Sequence, residues 1–123
     1  MTGTAARRRA WRRGRWAERL CRWRLRLSGY RVLGMDMRTP VGEVDILARR
    51  GGTLVVIEVK ARASASAAAE AIGPRQRRRI RRAADWLRAG RPEWQTLALR
   101  FDVMLVAPWR WPTHLHDAWR EEG

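Results

Sequence analysis

Lysine is almost missing from this chain: among 27 basic residues there are 26 Arg and a single Lys, Lys60. Cysteine, tyrosine and phenylalanine also occur once each. The lone Cys21 excludes an internal disulfide and suits a reducing, cytoplasmic setting. With no Lys following a glycine-rich run there is no P-loop, and the chain has no nucleophile elbow, no His-Glu-x-x-His helix, no Cys pair and no Rossmann glycine spacing. No apolar run approaches the length of a membrane span, and the Arg-rich start lacks the apolar stretch of a secretory signal. The expectation is a cytoplasmic protein without a membrane partner. Acidic residues are scarce too, 12 against the 27 bases, and the net charge of +15 predicts attraction to polyanions, nucleic acid above all. At 123 residues the chain has room for one core. We expect a disordered basic arm over 1–10, with little to bury, and a single domain over 11–123.

What the chain does have is a hairpin. Gly42 to Lys60 holds two runs rich in Val, Ile and Leu around Gly51-Gly52, a pair suited to a type I′ turn because both central residues there need positive φ. With Gly51 and Gly52 as the loop, Asp45 falls opposite Glu58 and Glu43 opposite Lys60. A four-residue loop would shift the pairs but keep the parity, so strict alternation puts Glu43, Asp45, Glu58 and Lys60 on one face. Opposed side chains on paired strands have Cβ atoms about 4.5–5.5 Å apart. Adjacent carboxylates on a half-buried sheet repel and lose hydration, and a hard divalent cation with oxygen ligands relieves both penalties. The ordinary alternative is a Glu43–Lys60 cross-strand pair beside two solvated carboxylates. Residue choice weighs against it: the one Lys of an arginine-rich chain stands two residues after a strand Glu, where a compact ammonium differs most from a wide, planar guanidinium.

The flanking elements read as follows. From Trp11 to Leu27, ended by Ser28-Gly29, a helical repeat puts Arg12, Arg15, Arg19, Arg22 and Arg26 in one stripe. Trp16, Leu20, Trp23 and Leu27 lie beside Ala17 and Cys21 on the other side, which we expect to cover the sheet. Tyr30–Met37 reads as a strand, followed by a turn over Arg38–Val41. Gly73-Pro74 starts a second helix that buries Ile80, Ala83, Ala84 and Leu87, has Gln76 on the same inward side, and turns Arg75, Arg78, Arg81 and Arg82 outward. Arg88–Gln95 is a turn region. Leu97–Val106 is a strand bounded by Pro108, joined to the hairpin by a parallel, right-handed crossover. The fold class is therefore α/β, a mixed sheet with flanking helices in the order αβββαβ. The tail reads as a short edge strand and a helical turn, with His114 and His116 as surface histidines, since two His at this spacing make a poor zinc signal. Asp102 reads first as structural, paired with a nearby Arg.

The run Gly-Glu-Val-Asp-Ile-Leu-Ala, a glycine turn, then Val-Ile-Glu-Val-Lys-Ala-Arg resembles the PD-(D/E)xK nuclease signature. More closely, the chain resembles the YraN-type family of uncharacterised proteins, which is similar to archaeal Holliday-junction resolvases. The likeness runs from about Gly14 to Trp119 and includes Gly14–Glu18, Ile72-Gly73-Pro74-Arg75 and Arg100-Phe101-Asp102-Val103; the hairpin is its specific part. It implies a restriction-endonuclease-like fold and a metal-dependent endonuclease acting on nucleic acid, DNA favoured and branched DNA among the candidates. Asp45, Glu58 and the Val59 carbonyl would hold Mg²⁺ or Mn²⁺. Lys60 would orient the attacking water and stabilise charge on the phosphate. Glu18 matches the Glu of the family's first helix, and it and Glu43 are auxiliary metal candidates; a helical-spacing pair with Arg15 or Arg22 is an equal reading for Glu18. Where similar proteins carry Lys this chain has Gln76, which can bond a phosphate oxygen or orient water, or be satisfied by backbone at the sheet edge. Arg62, Arg75, Arg78 and Arg79 would hold the nucleic-acid backbone. Symmetrical cutting of two strands would favour a homodimer. The competing class is a module of the same fold that binds DNA or RNA without cutting it. A Trp- and Arg-rich helix held on anionic lipid ranks third.

Overall fold

A computed structural model of the chain describes residues 14–61 and 72–120. Its elements are helix α1 (Arg15–Leu27), strands β1 (Arg31–Thr39), β2 (Gly42–Arg50) and β3 (Thr53–Lys60), helix α2 (Pro74–Ala89), a 3₁₀ turn (Pro92–Trp94), and strands β4 (Ala98–Leu105) and β5 (Thr113–Trp119). The strands form one sheet in the order β1-β2-β3-β4-β5. β1, β2 and β3 are antiparallel neighbours, β3 and β4 are parallel, and β5 returns antiparallel at the edge. This is the mixed α/β sheet, αβββαβ with one added edge strand, of a restriction-endonuclease-like fold. The basic arm expected over 1–10 lies outside the described residues, as does Arg62.

The hairpin pairs as its glycines imply, Arg50 with Thr53 and Ile46 with Ile57. Its turn is not type I′, however, because only Gly51 takes positive φ, +58°. The Gly52 carbonyl accepts a 2.9 Å hydrogen bond from the Ala98 N–H, so the start of β4 holds the second loop residue, and positive φ at the first central residue alone is the II′ pattern.

Helices cover both faces. On one, Ile80, Ala83 and Ala84 of α2 pack with Val44, Leu47, Leu54, Val56, Phe101, Val103 and Leu105. On the other, Cys21 and Leu25 of α1 pack with Ile46, Ala48, Val55, Ile57, Val59 and Met104. Burial on both sides explains why Leu54-Val55-Val56-Ile57 of β3 reads as an unbroken apolar run. Gly42 marks how close α2 comes: a Cβ there, at φ +154°, would lie 3.2 Å from the Arg79 carbonyl oxygen. Pro74 opens α2 as expected.

Three further expectations fail. Trp16, Trp23 and Leu27 of α1 do not cover the sheet but are 57%, 59% and 70% exposed. Of that side Ala17 and Cys21 do make the contact, joined by Leu25, because the small side chains of Ala17 and Cys21 let helix and sheet approach more closely than an indole allows. His114 is not a surface residue either. Its side chain is fully buried and its Nε2 lies 2.7 Å from Asp102 Oδ2, while β5 continues to Trp119 through an irregularity at Asp117, φ +52°, and not as a helical turn.

Candidate functional site

The site is built where β2 and β3 part. Their ladder ends at Ile46 and Ile57, one step short of the two carboxylates. Beyond it side chains take over: the Val59 N–H donates to Asp45 Oδ2 at 2.8 Å, and the Asp45 N–H lies 3.5 Å from Glu58 Oε2, a long, weak contact. Each strand thus offers an amide to the other strand's carboxylate. Glu58 is 5% exposed, Asp45 half-buried.

Strict alternation does not hold through this level. Val44 joins the core under α2, yet Ile46, two residues on, joins the core under α1. β1 slips at the same height, since Met37 packs with the first core and Met35 with the second. Between those methionines Asp36 adopts φ +50°, a left-handed conformation that Asp tolerates better than most residues. The slip separates the four hairpin residues that simple parity groups together. Glu58 and Lys60, alternating with Val59, lie on the α2 side of β3. Glu43 falls on the far side of the break, about half exposed, 3.5 Å from Arg38 Nε in a rim ion pair. Such exposed pairs contribute little, of the order of 0–1 kcal/mol.

α1 reaches the same place from the other side. The buried Cys21 thiol is pushed up to about 12, by burial first and then by the negative charges of Asp45 and Glu18, which places both carboxylates within electrostatic reach of one sulfur. Glu18 also lines an open depression of about 200 Å³ with Arg15, Arg19 and Arg22. On α2, Gln76 is half-buried in the first turn, and Arg75, Arg78 and Arg79 are exposed. That helix covers the sheet face carrying Glu58 and Lys60.

The donor set around the fork consists of Asp45 and Glu58 carboxylates with the Val59 backbone alongside. Among the described residues no group of three or more His, Cys, Asp or Glu is gathered closely enough to hold a metal ion. Two carboxylates suffice for Mg²⁺, which keeps several waters and takes the rest of its shell from substrate phosphate. A thiol held protonated at about 12 supplies no ligand, so the chemistry of the site is that of oxygen donors.

A second polar cluster was only partly visible in the sequence. Asp102, fully buried, accepts 2.9 and 2.8 Å bonds from Arg100, the contact with His114, and a 2.8 Å bond from the Asp117 N–H. Arg100 also donates to the Tyr30 hydroxyl at 2.6 Å. Burial alone would raise the Asp102 pKa, but the bonds from His114, Arg100 and Asp117 prevail and lower it to about 2. The cluster ties β4, β5 and the start of β1 together. Reading Asp102 as structural is sound.

The model of Uncharacterised protein family UPF0102 matches residues 17–106. This chain belongs to UPF0102, the YraN family. Curated UPF0102 proteins are similar along nearly their whole length: one from Parvibaculum lavamentivorans is 54% identical over 111 residues, covering 90% of this chain and 84% of the relative. One from Maricaulis maris is 54% identical over 116 residues, 94% and 91% of the two chains, and one from Caulobacter vibrioides 47% over 117 residues, 95% and 90%. The UPF0102 match takes in Glu18, the whole hairpin, Gln76 and Asp102. No helix among the described residues is long and apolar enough to cross a membrane.

Proposed function

We propose that this UPF0102 protein is a metal-dependent phosphodiesterase acting on nucleic acid, with DNA, branched DNA included, as the favoured substrate. One observation carries the reading: Asp45 and Glu58 are linked through each other's strands where β2 and β3 part, with the chain's sole Lys two residues after Glu58 in a chain of net charge +15. Paired carboxylates at the end of a ladder are costly to hold together for stability alone. Asp45, Glu58 and the Val59 carbonyl would hold Mg²⁺ or Mn²⁺, and when bound such an ion polarises the scissile phosphate and acidifies a water. Lys60 neutralises charge that builds on the phosphate, in a site where fixed charge acts more strongly than in bulk water. The Val59 N–H fixes the orientation of the Asp45 carboxylate. Glu18, on α1, is an auxiliary candidate for holding the ion. Gln76 offers an amide to phosphate or water, and Arg75, Arg78 and Arg79 grip the backbone without reading sequence.

The second reading is a non-cutting nucleic-acid module of the same fold, favoured by the absence of a third acidic or His ligand grouped at the fork among the described residues. The test incubates the protein with junction, duplex and single-stranded DNA, and with RNA, with Mn²⁺ and with EDTA, beside Asp45→Asn and Lys60→Ala. Mn²⁺-dependent cleavage by the parent and by neither variant supports hydrolysis. Metal-independent retention by all three, with no product, supports the binder.

A further inference from the structure

Helix α1 presents three faces rather than two. Ala17, Cys21 and Leu25 are buried against the sheet. At about 100° per residue, Trp16, Leu20, Trp23 and Leu27 make a second row spanning only about 60°. The two indoles and Leu27 are more than half exposed. Arg15, Arg19 and Arg26 make a third row, roughly 40–100° round from the indoles, and each is exposed. The two indoles stand about 10.5 Å apart along the axis, seven residues at 1.5 Å each.

An occupant of this surface must offer flat apolar faces to the indoles and negative charge to the arginines beside them. Unpaired nucleotides carry both on every unit, a base and a phosphate, and aromatic platforms flanked by arginine bind single strands in this way. An anionic bilayer is also apolar and negative. The depression between Arg15, Glu18, Arg19 and Arg22 favours nucleic acid, because it opens on the same helix whose Cys21 shares a core with Ile46 and Val59, the neighbours of Asp45 and Glu58. A strand laid along α1 leads toward the fork, whereas a bilayer has nothing to deliver there.

We propose that the Trp16–Trp23 row is a stacking platform for an unpaired stretch of nucleic acid, its phosphates held by Arg15, Arg19 and Arg26. The proposal rests on the nucleic-acid reading of the fork for its choice of ligand, but not on cleavage. It names the substrate class: strands with unpaired segments, such as gaps, flaps and open junctions, over continuous duplex.

The test is fluorescence anisotropy in EDTA with labelled oligo-dT and a labelled duplex, comparing the parent with Trp16→Ala/Trp23→Ala and Trp16→Phe/Trp23→Phe. Both indoles are exposed, so circular dichroism and Tm should match the parent. The alanine pair is expected to weaken oligo-dT binding at least about tenfold, the phenylalanine pair less, and duplex binding less than about threefold. No loss on oligo-dT, or equal loss on both ligands, overturns the platform. So does a loss confined to vesicles of phosphatidylglycerol and phosphatidylcholine, which would assign the row to lipid, or a dimer that the alanine pair converts to monomer with oligo-dT binding intact. A parent that cuts nothing in Mn²⁺ yet shows the selective oligo-dT loss keeps the platform and sinks the hydrolytic reading. Intact cleavage without that loss does the reverse.

Discussion

Asp45 and Val59 are joined by a 2.8 Å hydrogen bond from the Val59 amide to the Asp45 carboxylate. A ladder would satisfy that amide with a carbonyl. Here a side chain does so, at the level where β2 turns its residues over, and one carboxylate both closes the end of the hairpin and faces the fork.

That dual role separates stability from activity at one position. Asp45→Ala leaves the Val59 amide without this acceptor and should lower stability by about 1–3 kcal/mol, whereas Asp45→Asn keeps an acceptor and should stay within about 1 kcal/mol of the parent in EDTA. Urea unfolding followed by circular dichroism measures both. Cleavage by the Asn variant should nonetheless fall at least about a hundredfold.

Lys60 is argued from its shape as well as its charge. Lys60→Ala should cut the rate by roughly 10²–10³-fold with nucleic-acid affinity little changed, and Lys60→Arg should recover less than a tenth of the loss, because a planar fork does not replace a compact ammonium. Single-turnover rates beside equilibrium binding read the two effects apart. Full recovery by Arg would show that charge alone matters at this position.

The Asp102 cluster gives a pH dependence of definite sign. Its folded pKa, about 2, lies below the ordinary carboxyl value of 3.8, so its ionised form favours the fold. That contribution, of order 2 kcal/mol, is complete above the unfolded value and is lost as pH falls through the folded one. Acid unfolding of the parent should therefore steepen between about pH 4 and pH 2, and Asp102→Asn should flatten that limb while lowering stability at pH 7. Stability measured in urea across this range checks it.

Cys21 should be inert in the fold. With the thiol 2% exposed and its pKa pushed up to about 12, almost no thiolate exists at pH 8. A colorimetric disulfide reagent should label it only as fast as the protein opens, and at once in guanidinium.

Much of the fold was legible because its punctuation is strong. Gly51-Gly52 set the hairpin register, Gly73-Pro74 the start of α2, and the Leu54-Val55-Val56-Ile57 run of β3 a sheet covered on both sides. The same double covering hid the slip at Asp45: Val44 and Ile46 are both apolar wherever they point, so the pattern is silent when one turns over. Asp36 was a weak signal, an acidic residue between two methionines where only its backbone conformation shows the break. α1 misled for another reason. Its largest apolar side chains stand outward while Ala17, Cys21 and Leu25 form the seam, and hydrophobicity counted by size rotates the covering face away from that seam. His114 looked like a surface residue because its partner, Asp102, is twelve positions away on the neighbouring strand.

The central claim is that Asp45 and Glu58 share a divalent cation. Crystals soaked in Mn²⁺ and measured at an energy where manganese scatters anomalously test it most directly. The account predicts one anomalous peak within about 2.5 Å of oxygens from both carboxylates, absent from Asp45→Asn crystals soaked alike. No peak at the fork, or one that survives the substitution, contradicts it.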